Sequence, residues 1–217
     1  MTRGLGSSSA CIIGGMLAAN IISGRQLSYQ EIIHLAAKME GHPDNVGPAL
    51  FGGFCVSLMD DDKTIIKSTK LKSHIKFAVI IPDFFVATKK SRGVLPSKID
   101  FKDAVFNVGH ASMFQAAMLT CDMKALEIGV KDKLHQQYRK SYVDGMEDIF
   151  EKTYHLGSHA TYLSGSGPTI LSILDGNYDG FKAGMEEYFK TNGLEWKCMI
   201  LPVSYTHLRA HETSLHL

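Results

Sequence analysis

The sequence predicts an α+β fold, with helices laid on one face of a sheet, and three observations carry that prediction. From residue 73 onward the pattern runs strand, helices, strand–turn–strand, helix, strand, which is the layer order of such a fold. Ahead of it stands a helix with both a start and a stop signal. Between the two lies a pair of short apolar runs flanking an acidic turn, which reads as a hairpin.

Each element has its own justification. Apolar residues at helical spacing predict a first helix over residues 8–22, with Ile12, Ile13, Met16, Leu17 and Ile21 on one side. Ser28-Tyr29-Gln30-Glu31 is a capping box. Ile32, Leu35, Ala36 and Met39 follow as an apolar stripe, and Gly41 ends the helix. Residues 54–59 and 64–67 flank Asp60-Asp61-Asp62, a triplet that reads as a solvated turn or a cation site. A buried strand is expected over 76–81, closed by Pro82-Asp83. Helices are expected at 101–119, 124–129 and 142–155. Thr161-Tyr162-Leu163 and 169–174 then bracket the turn Ser164-Gly165-Ser166-Gly167-Pro168, before a helix over 180–190 and a strand over 196–203. The restart near Leu71 to Ser73 predicts a domain boundary, with domains over 1–72 and 73–203.

Composition narrows the function classes. The chain has 217 residues, 45% hydrophobic and 21% charged, an ordinary globular balance with room for a sizeable core. Twenty-three Lys and Arg against 22 Asp and Glu leave a net charge of +1, with no basic stripe to hold nucleic acid or a membrane surface. Cys11, Cys55, Cys121 and Cys198 are widely spaced and form no C-x-x-C pair, so reduced thiols and a cytoplasmic location are the expectation. No apolar run is long enough to span a bilayer.

Two stretches carry chemistry. Arg3-Gly4-Leu5-Gly6-Ser7-Ser8-Ser9-Ala10 opens the first helix. Glycines let the backbone approach a ligand, serines offer hydroxyls, and the bare N–H groups of a helix N-terminus favour an anion. The P-loop pattern fails because no G-K-[ST] follows, and the dinucleotide pattern fails because Ser9 replaces its third glycine. A plain Gly/Ser-rich cap remains an alternative. The second stretch is Glu40-Gly41-His42-Pro43-Asp44-Asn45. Glu40 ends a helix, where the dipole disfavours a carboxylate, so a cation such as Mg²⁺ would offset the cost. A polar connection with a stray Glu is the rival reading. Pro43 holds His42 extended.

The first stretch, followed by Glu-Gly-His-Pro-Asp-Asn-Val and then Leu-Ser-Gly-Ser-Gly-Pro-Thr in that order, resembles the GHMP small-molecule kinases, most of all the homoserine kinases. Three further matches point the same way: Thr88-x-x-x-Arg92 leading into Val94-Leu95-Pro96, Ala104-Val105-Phe106-Asn107, and Asp132-Lys133-Leu134-His135-Gln136-Gln137-Tyr138-Arg139. The resemblance implies a two-domain fold whose C-terminal domain is a ferredoxin-like α/β sandwich. It implies ATP and Mg²⁺ as cofactors and L-homoserine as substrate. Arg3, Gly4, Leu5, Gly6, Ser7, Ser8 and Ser9, with Gly165, Ser166 and Gly167, would wrap the ATP phosphates. Ser8 and Glu40 would hold the metal. His42, Asn45, Arg92 and Arg139 would meet the amino acid, and Asn45, Thr88, Arg92 and Asp44 would stand at the reacting groups, with Asp44 the carboxylate to test as base. A homodimer is an assembly that the resemblance leaves open.

The sequence also departs from the family pattern. A first motif with an Asn and an Asp, and the proline that opens the second motif, have no counterpart. The N-terminal domain therefore reads as truncated, a frame that starts inside a gene and encodes little or no kinase activity. Residues 204–217 resemble translated adapter sequence. Within them His207, His211 and His216 do not make H-E-x-x-H, since His211-Glu212-Thr213-Ser214-Leu215-His216 is one residue too long. Rival readings are another GHMP kinase, for mevalonate or diphosphocytidyl-methylerythritol, and a nucleotide-binding chain without catalysis.

Overall fold

The computed structural model describes residues 4–60 and 63–205, with the backbone alone for residues 88 and 89. Arg3, Asp61, Asp62, the Thr88 side chain and residues 206–217, including His207, His211 and His216, lie outside the described residues. The chain forms two compact units: one of residues 1–5 and 72–202, the other of residues 6–71 and 203–217.

The smaller unit is built from α1 (Ser7–Ile22), α2 (Tyr29–Glu40), α3 (Val46–Phe51) and an antiparallel hairpin of β1 (Phe54–Asp60) with β2 (Lys63–Thr69). Its core gathers Ile13 from α1, Ile32, Ile33 and Ala36 from α2, and Val46 and Leu50 from α3, with Ile66 of β2 against them. The capping box forms as the sequence predicts: the Ser28 amide donates to Glu31 Oε2 at 2.8 Å, and the Glu31 amide donates to Ser28 Oγ at 3.3 Å. Gly41 closes α2 with φ +85°. The buried stripe of α2 differs from the expected one. Ile32, Ile33, Ala36 and Ala37 are buried, whereas Leu35 and Met39 are 42% and 68% exposed. Both sets have helical spacing, and packing against α1 and α3 selects the face. Ile21 of α1 is likewise exposed.

The sequence pattern shows no α3, because Gly47-Pro48 resembles a turn. Pro48 falls in the first turn of the helix, where a missing N–H costs nothing. Gly47 lets this helix sit on the hairpin, since a Cβ there would lie 2.8 Å from Ser57 Oγ.

The larger unit contains β3 (Lys76–Ile81), α4 (Thr88–Gly93), α5 (Phe101–Thr120), α6 (Met123–Gly129), α7 (Gln136–Arg139), a 3₁₀ turn (Lys140–Tyr142), α8 (Met146–His155), β4 (Ala160–Leu163), β5 (Ile170–Leu174), α9 (Tyr178–Thr191) and β6 (Lys197–Pro202). Its four strands are all antiparallel to their neighbours, in the order β4-β5-β3-β6. Numbered within the unit, that is the 2-3-1-4 order of a ferredoxin-like split βαβ sheet.

Alternate residues of each strand, Ala78 and Ile80, Leu163, Ile170 and Leu174, and Cys198, face Ile149 of α8 and Phe181, Met185 and Phe189 of α9 in the main core. Tyr162 points the other way and meets Phe114 of α5 edge-on, with ring centroids 6.0 Å apart. The expectation of helices on one face therefore holds for α8 and α9 only; α5 reaches the opposite side at β4.

Helix α8 also begins later than expected, at Met146, because Gly145 adopts φ +72° and separates it from the 3₁₀ turn. The four cysteines are free. Among the described residues no helix is long and apolar enough to cross a membrane.

Candidate active site

In the smaller unit the polar residues collect around the start of α1. Helix α2 carries a full side-chain cap, but α1 has none, despite Ser7, Ser8 and Ser9 in its first turn. Its N-cap is Gly6, with φ +69°, and no acidic side chain stands in the first turn. The first amides of α1 are thus left for an anion. Ser9 is fully buried, and its hydroxyl has no hydrogen-bond partner among the described residues.

Ser8 Oγ donates to Glu40 Oε2 at 2.8 Å. The carboxylate that ends α2, poorly placed for its own helix dipole, thereby sits beside the positive end of α1. A hydroxyl and a carboxylate are two hard oxygen donors. That set fits Mg²⁺, which is ordinarily held by one or two carboxylates with phosphates and water supplying the rest. No group of three or more His, Cys, Asp or Glu among the described residues forms a metal cage of its own.

Beyond Gly41 the elbow folds on itself. His42 Nδ1 bonds Asp44 Oδ1, and the same oxygen accepts the Asn45 amide at 2.8 Å. Asn45 lies against the loop: a Cβ on Gly6 would stand 3.0 Å from Asn45 Oδ1. Gly6 therefore needs both its positive φ and its missing side chain. Ser7, Ser8, Ser9, Glu40, His42, Asp44 and Asn45 all belong to this one unit.

The larger unit holds the other sequence-predicted residues. Ser164 Oγ donates to the Gly4 carbonyl at 2.6 Å, and a Cβ on Gly4 would lie 2.3 Å from the Ser164 carbonyl oxygen. Gly4, with φ +77°, is thus seated directly on the turn of residues 164–168. Leu5, the next residue, is 49% exposed. The turn is braced from two sides. Ser91 Oγ of α4 donates to the Ser166 carbonyl at 2.7 Å, and Arg139 Nη1 donates to the Gly165 carbonyl at 2.8 Å.

Arg139, which the resemblance assigns to the amino-acid carboxylate, sets its guanidinium against backbone carbonyls. It is buried, with Nε on the Ser91 carbonyl and Nη1 also against His135 Nδ1 at 3.2 Å. Burial first, then the nearby charge of Arg92, pulls its pKa below the ordinary guanidinium value, while Asp132 opposes them. Arg92 itself is exposed, on the last turn of α4. Residues 88 and 92 are four apart on that helix and share a face. The sequence shows no helix there, because Lys89, Lys90, Ser91 and Arg92 have no apolar period.

Site reasoning on the sequence omits Ser91, Asn107, Asp132, His135 and Gln136. Four of these stand inside the motifs that carry the family resemblance, which was the available signal.

Residues 1–53 match the model of the GHMP kinases N terminal domain. The chain is 43% identical over 199 residues to a homoserine kinase of Clostridium beijerinckii, covering 92% of this chain and 67% of that protein. This chain belongs to the homoserine kinase family. A homoserine kinase of Clostridium botulinum (strain Eklund 17B / Type B) is 41% identical over 90% of this chain and 66% of its own length. The chain thus spans about two thirds of the length of these relatives. The fold matches the crystal structure of homoserine kinase from Cytophaga hutchinsonii with a TM-score of 0.85 at 24% identity, covering 95% of this chain and 68% of that one. L. major mevalonate kinase, solved with R-mevalonate, gives 0.69 at 16% identity over 97% of this chain and 68% of that one. A GHMP kinase fold alone therefore does not choose the acceptor.

Proposed function

We propose that this chain carries the site for ATP-dependent phosphorylation of the side-chain hydroxyl of L-homoserine, giving O-phospho-L-homoserine and ADP. The observation that carries the proposal is the 2.8 Å contact of Ser8 with Glu40 at the uncapped start of α1. It combines free amides for phosphate with hard oxygens for the metal that accompanies ATP.

In this reading residues 1–72 are N-terminal, ATP-binding domain sequence and residues 73–203 the C-terminal domain. The backbone of Gly6, Ser7, Ser8 and Ser9 in one unit is assigned to the triphosphate, and Arg3, Gly4, Leu5, Gly165, Ser166 and Gly167 of the other unit carry the same assignment. Ser8 and Glu40 hold Mg²⁺. When bound, the metal neutralises charge on the β- and γ-phosphates. The protein's part is placement of the acceptor. Arg92 takes the amino-acid carboxylate, as its planar fork suits. Arg139 is assigned to the same carboxylate while it braces the turn. Asn45 and His42 are assigned to the substrate near its hydroxyl, and Thr88 carries a role at the reacting groups. Asp44 uses Oδ1 to fix His42 and Asn45, and its other oxygen is assigned the hydroxyl proton. A reaction of ATP with an amino acid suits the cytoplasm.

The test is ADP release by the purified chain with Mg-ATP and, separately, homoserine, mevalonate and diphosphocytidyl-methylerythritol. Homoserine-dependent turnover supports the proposal and overturns the sequence expectation of little or no kinase activity. Turnover with mevalonate and not homoserine overturns the choice of acceptor. Mg-ATP binding with no transfer to any acceptor leaves a nucleotide-binding protein and overturns the enzyme.

A further inference from the structure

The stretch 132–139 contains more buried polar organisation than a surface loop needs. Asp132 is 8% exposed at its side chain, yet every approach to its carboxylate is a donor. Oδ2 accepts the amides of His135 at 2.8 Å and Gln136 at 2.7 Å, and Oδ1 accepts Asn107 Nδ2 at 2.8 Å. Asn107, from the first half of α5, is fixed in turn, since its Oδ1 accepts the Lys133 amide at 2.8 Å. Burial would raise the Asp132 pKa, but these hydrogen bonds and the neighbouring His135 together hold it below the usual carboxylate value.

What the carboxylate caps is α7, a helix of four residues. One turn has no stability of its own, because nucleation costs more than a single backbone bond returns. Its orientation must therefore come from its cap and its side chains. Those side chains reach the end of β4, the glycine-rich turn and α4. Gln136 Oε1 accepts the Leu163 amide at 2.8 Å, and Arg139 bonds the carbonyls of Gly165 and Ser91. A continuous path thus runs from Asn107 through Asp132 and α7 to the turn and to α4, the helix of Arg92.

We propose that Asp132, oriented by Asn107, is the positioning residue that sets Arg139 against the glycine-rich turn and the arginine helix. The inference rests on the assignment of that turn and of Arg92 to phosphoryl transfer. Asp132 itself touches none of the reacting groups.

The pair permits a polarity swap. Asp132→Asn alone sets an amide nitrogen against Asn107 Nδ2 or turns it toward the capped amides. Asn107→Asp alone sets two carboxylates face to face. In the double variant Asn107→Asp/Asp132→Asn, the side-chain amide oxygen at position 132 can again accept the His135 and Gln136 amides. The amide nitrogen at that position can donate to the new carboxylate at position 107, which still accepts the Lys133 amide. All four hydrogen bonds return with the charge moved.

Three readouts are taken on the whole chain: the Arg139 Nε–H signal in ¹⁵N spectra, assigned with Arg139→Lys; amide exchange at Leu163; and, with homoserine and Mg-ATP, KM and kcat separately. Each single variant should lose the Arg139 signal, speed Leu163 exchange by about tenfold or more, and raise the homoserine KM more than it lowers kcat. The swap should restore most of this, the signature of coupled neighbours. Single variants that lower the melting temperature yet keep the Arg139 signal and Leu163 protection would overturn the inference, as would a swap no better than the worse single. If the parent chain shows no homoserine-dependent turnover while the spectral pattern holds, the positioning role stands and the assigned reaction falls.

Discussion

Ser164 Oγ lies 2.6 Å from the carbonyl oxygen of Gly4, a hydrogen bond between residues 160 apart in sequence. It joins the start of the described chain to the turn after β4, and Gly4 is the residue that permits it. With φ +77° and a would-be Cβ 2.3 Å from the Ser164 carbonyl oxygen, the position has neither the backbone freedom nor the space for a side chain.

Gly4→Ala should therefore cost stability by about 1–3 kcal/mol, the range for strain of this kind. It should also weaken Mg-ATP binding. Ser164→Ala removes only the hydroxyl donor and should cost about 1 kcal/mol. Urea unfolding of both variants, with nucleotide titration alongside, checks the order: an alanine at residue 4 no worse than one at residue 164 would show that the glycine is not required.

Glu40→Gln and Ser8→Ala test the proposed metal pair. Gln keeps an oxygen to accept from Ser8 but loses the charge that hard cations select. The expected outcome is a tenfold or greater loss of Mg-ATP affinity for Glu40→Gln, worth about 1.4 kcal/mol or more. Titration with ATP in EDTA should show little difference between Glu40→Gln and the parent. Equal losses with and without magnesium would assign both residues to the fold of the loop instead.

The pH dependence of stability should carry a signature of His135. Its imidazole is held below the usual value of 6.5, by burial first, with Arg139 adding to the shift and Asp132 opposing it. A lowered histidine favours the neutral form in the folded chain. Its contribution is complete above about pH 6.5 and is lost as pH falls below that value, by at most about 1.4 kcal/mol per pH unit for one proton. Protonation also removes the Nδ1 acceptor that Arg139 Nη1 uses. His135→Gln keeps an acceptor and does not titrate, so its unfolding free energy should fall less between about pH 7.5 and about pH 5.5 than the parent's. Parallel curves would rule out the histidine as the source.

Much of the fold is legible in the sequence for a physical reason. The capping box, the hairpin and the strand around Ala78 are local signals, written within a few consecutive residues. A carboxylate at a helix C-terminus asks for a partner, which marks Glu40 in the sequence; that the partner is Ser8 is implied only by the family resemblance. The carbonyl partners of Arg139 are not legible in this way, because they depend on where Ser91 of α4 and Gly165 of the turn arrive in the fold. Leu35 and Met39 were misplaced for a related reason: a helix rich in apolar residues has more than one plausible stripe, and only its neighbours choose.

The last prediction concerns α1 itself. Gly14 and Gly15 lie in its interior, and neither is at a positive φ. An added Cβ at either would meet nothing within 4 Å. Glycine in mid-helix costs about 0.5–1 kcal/mol relative to alanine, mainly through the entropy of the unfolded chain. Gly14→Ala and Gly15→Ala should each raise stability by roughly that amount, and the double variant by nearly the sum. A loss of stability or of Mg-ATP binding in either variant would mean that another surface comes within van der Waals reach of this side of α1. The measurement thus probes the surroundings of α1 by the sign of a single change.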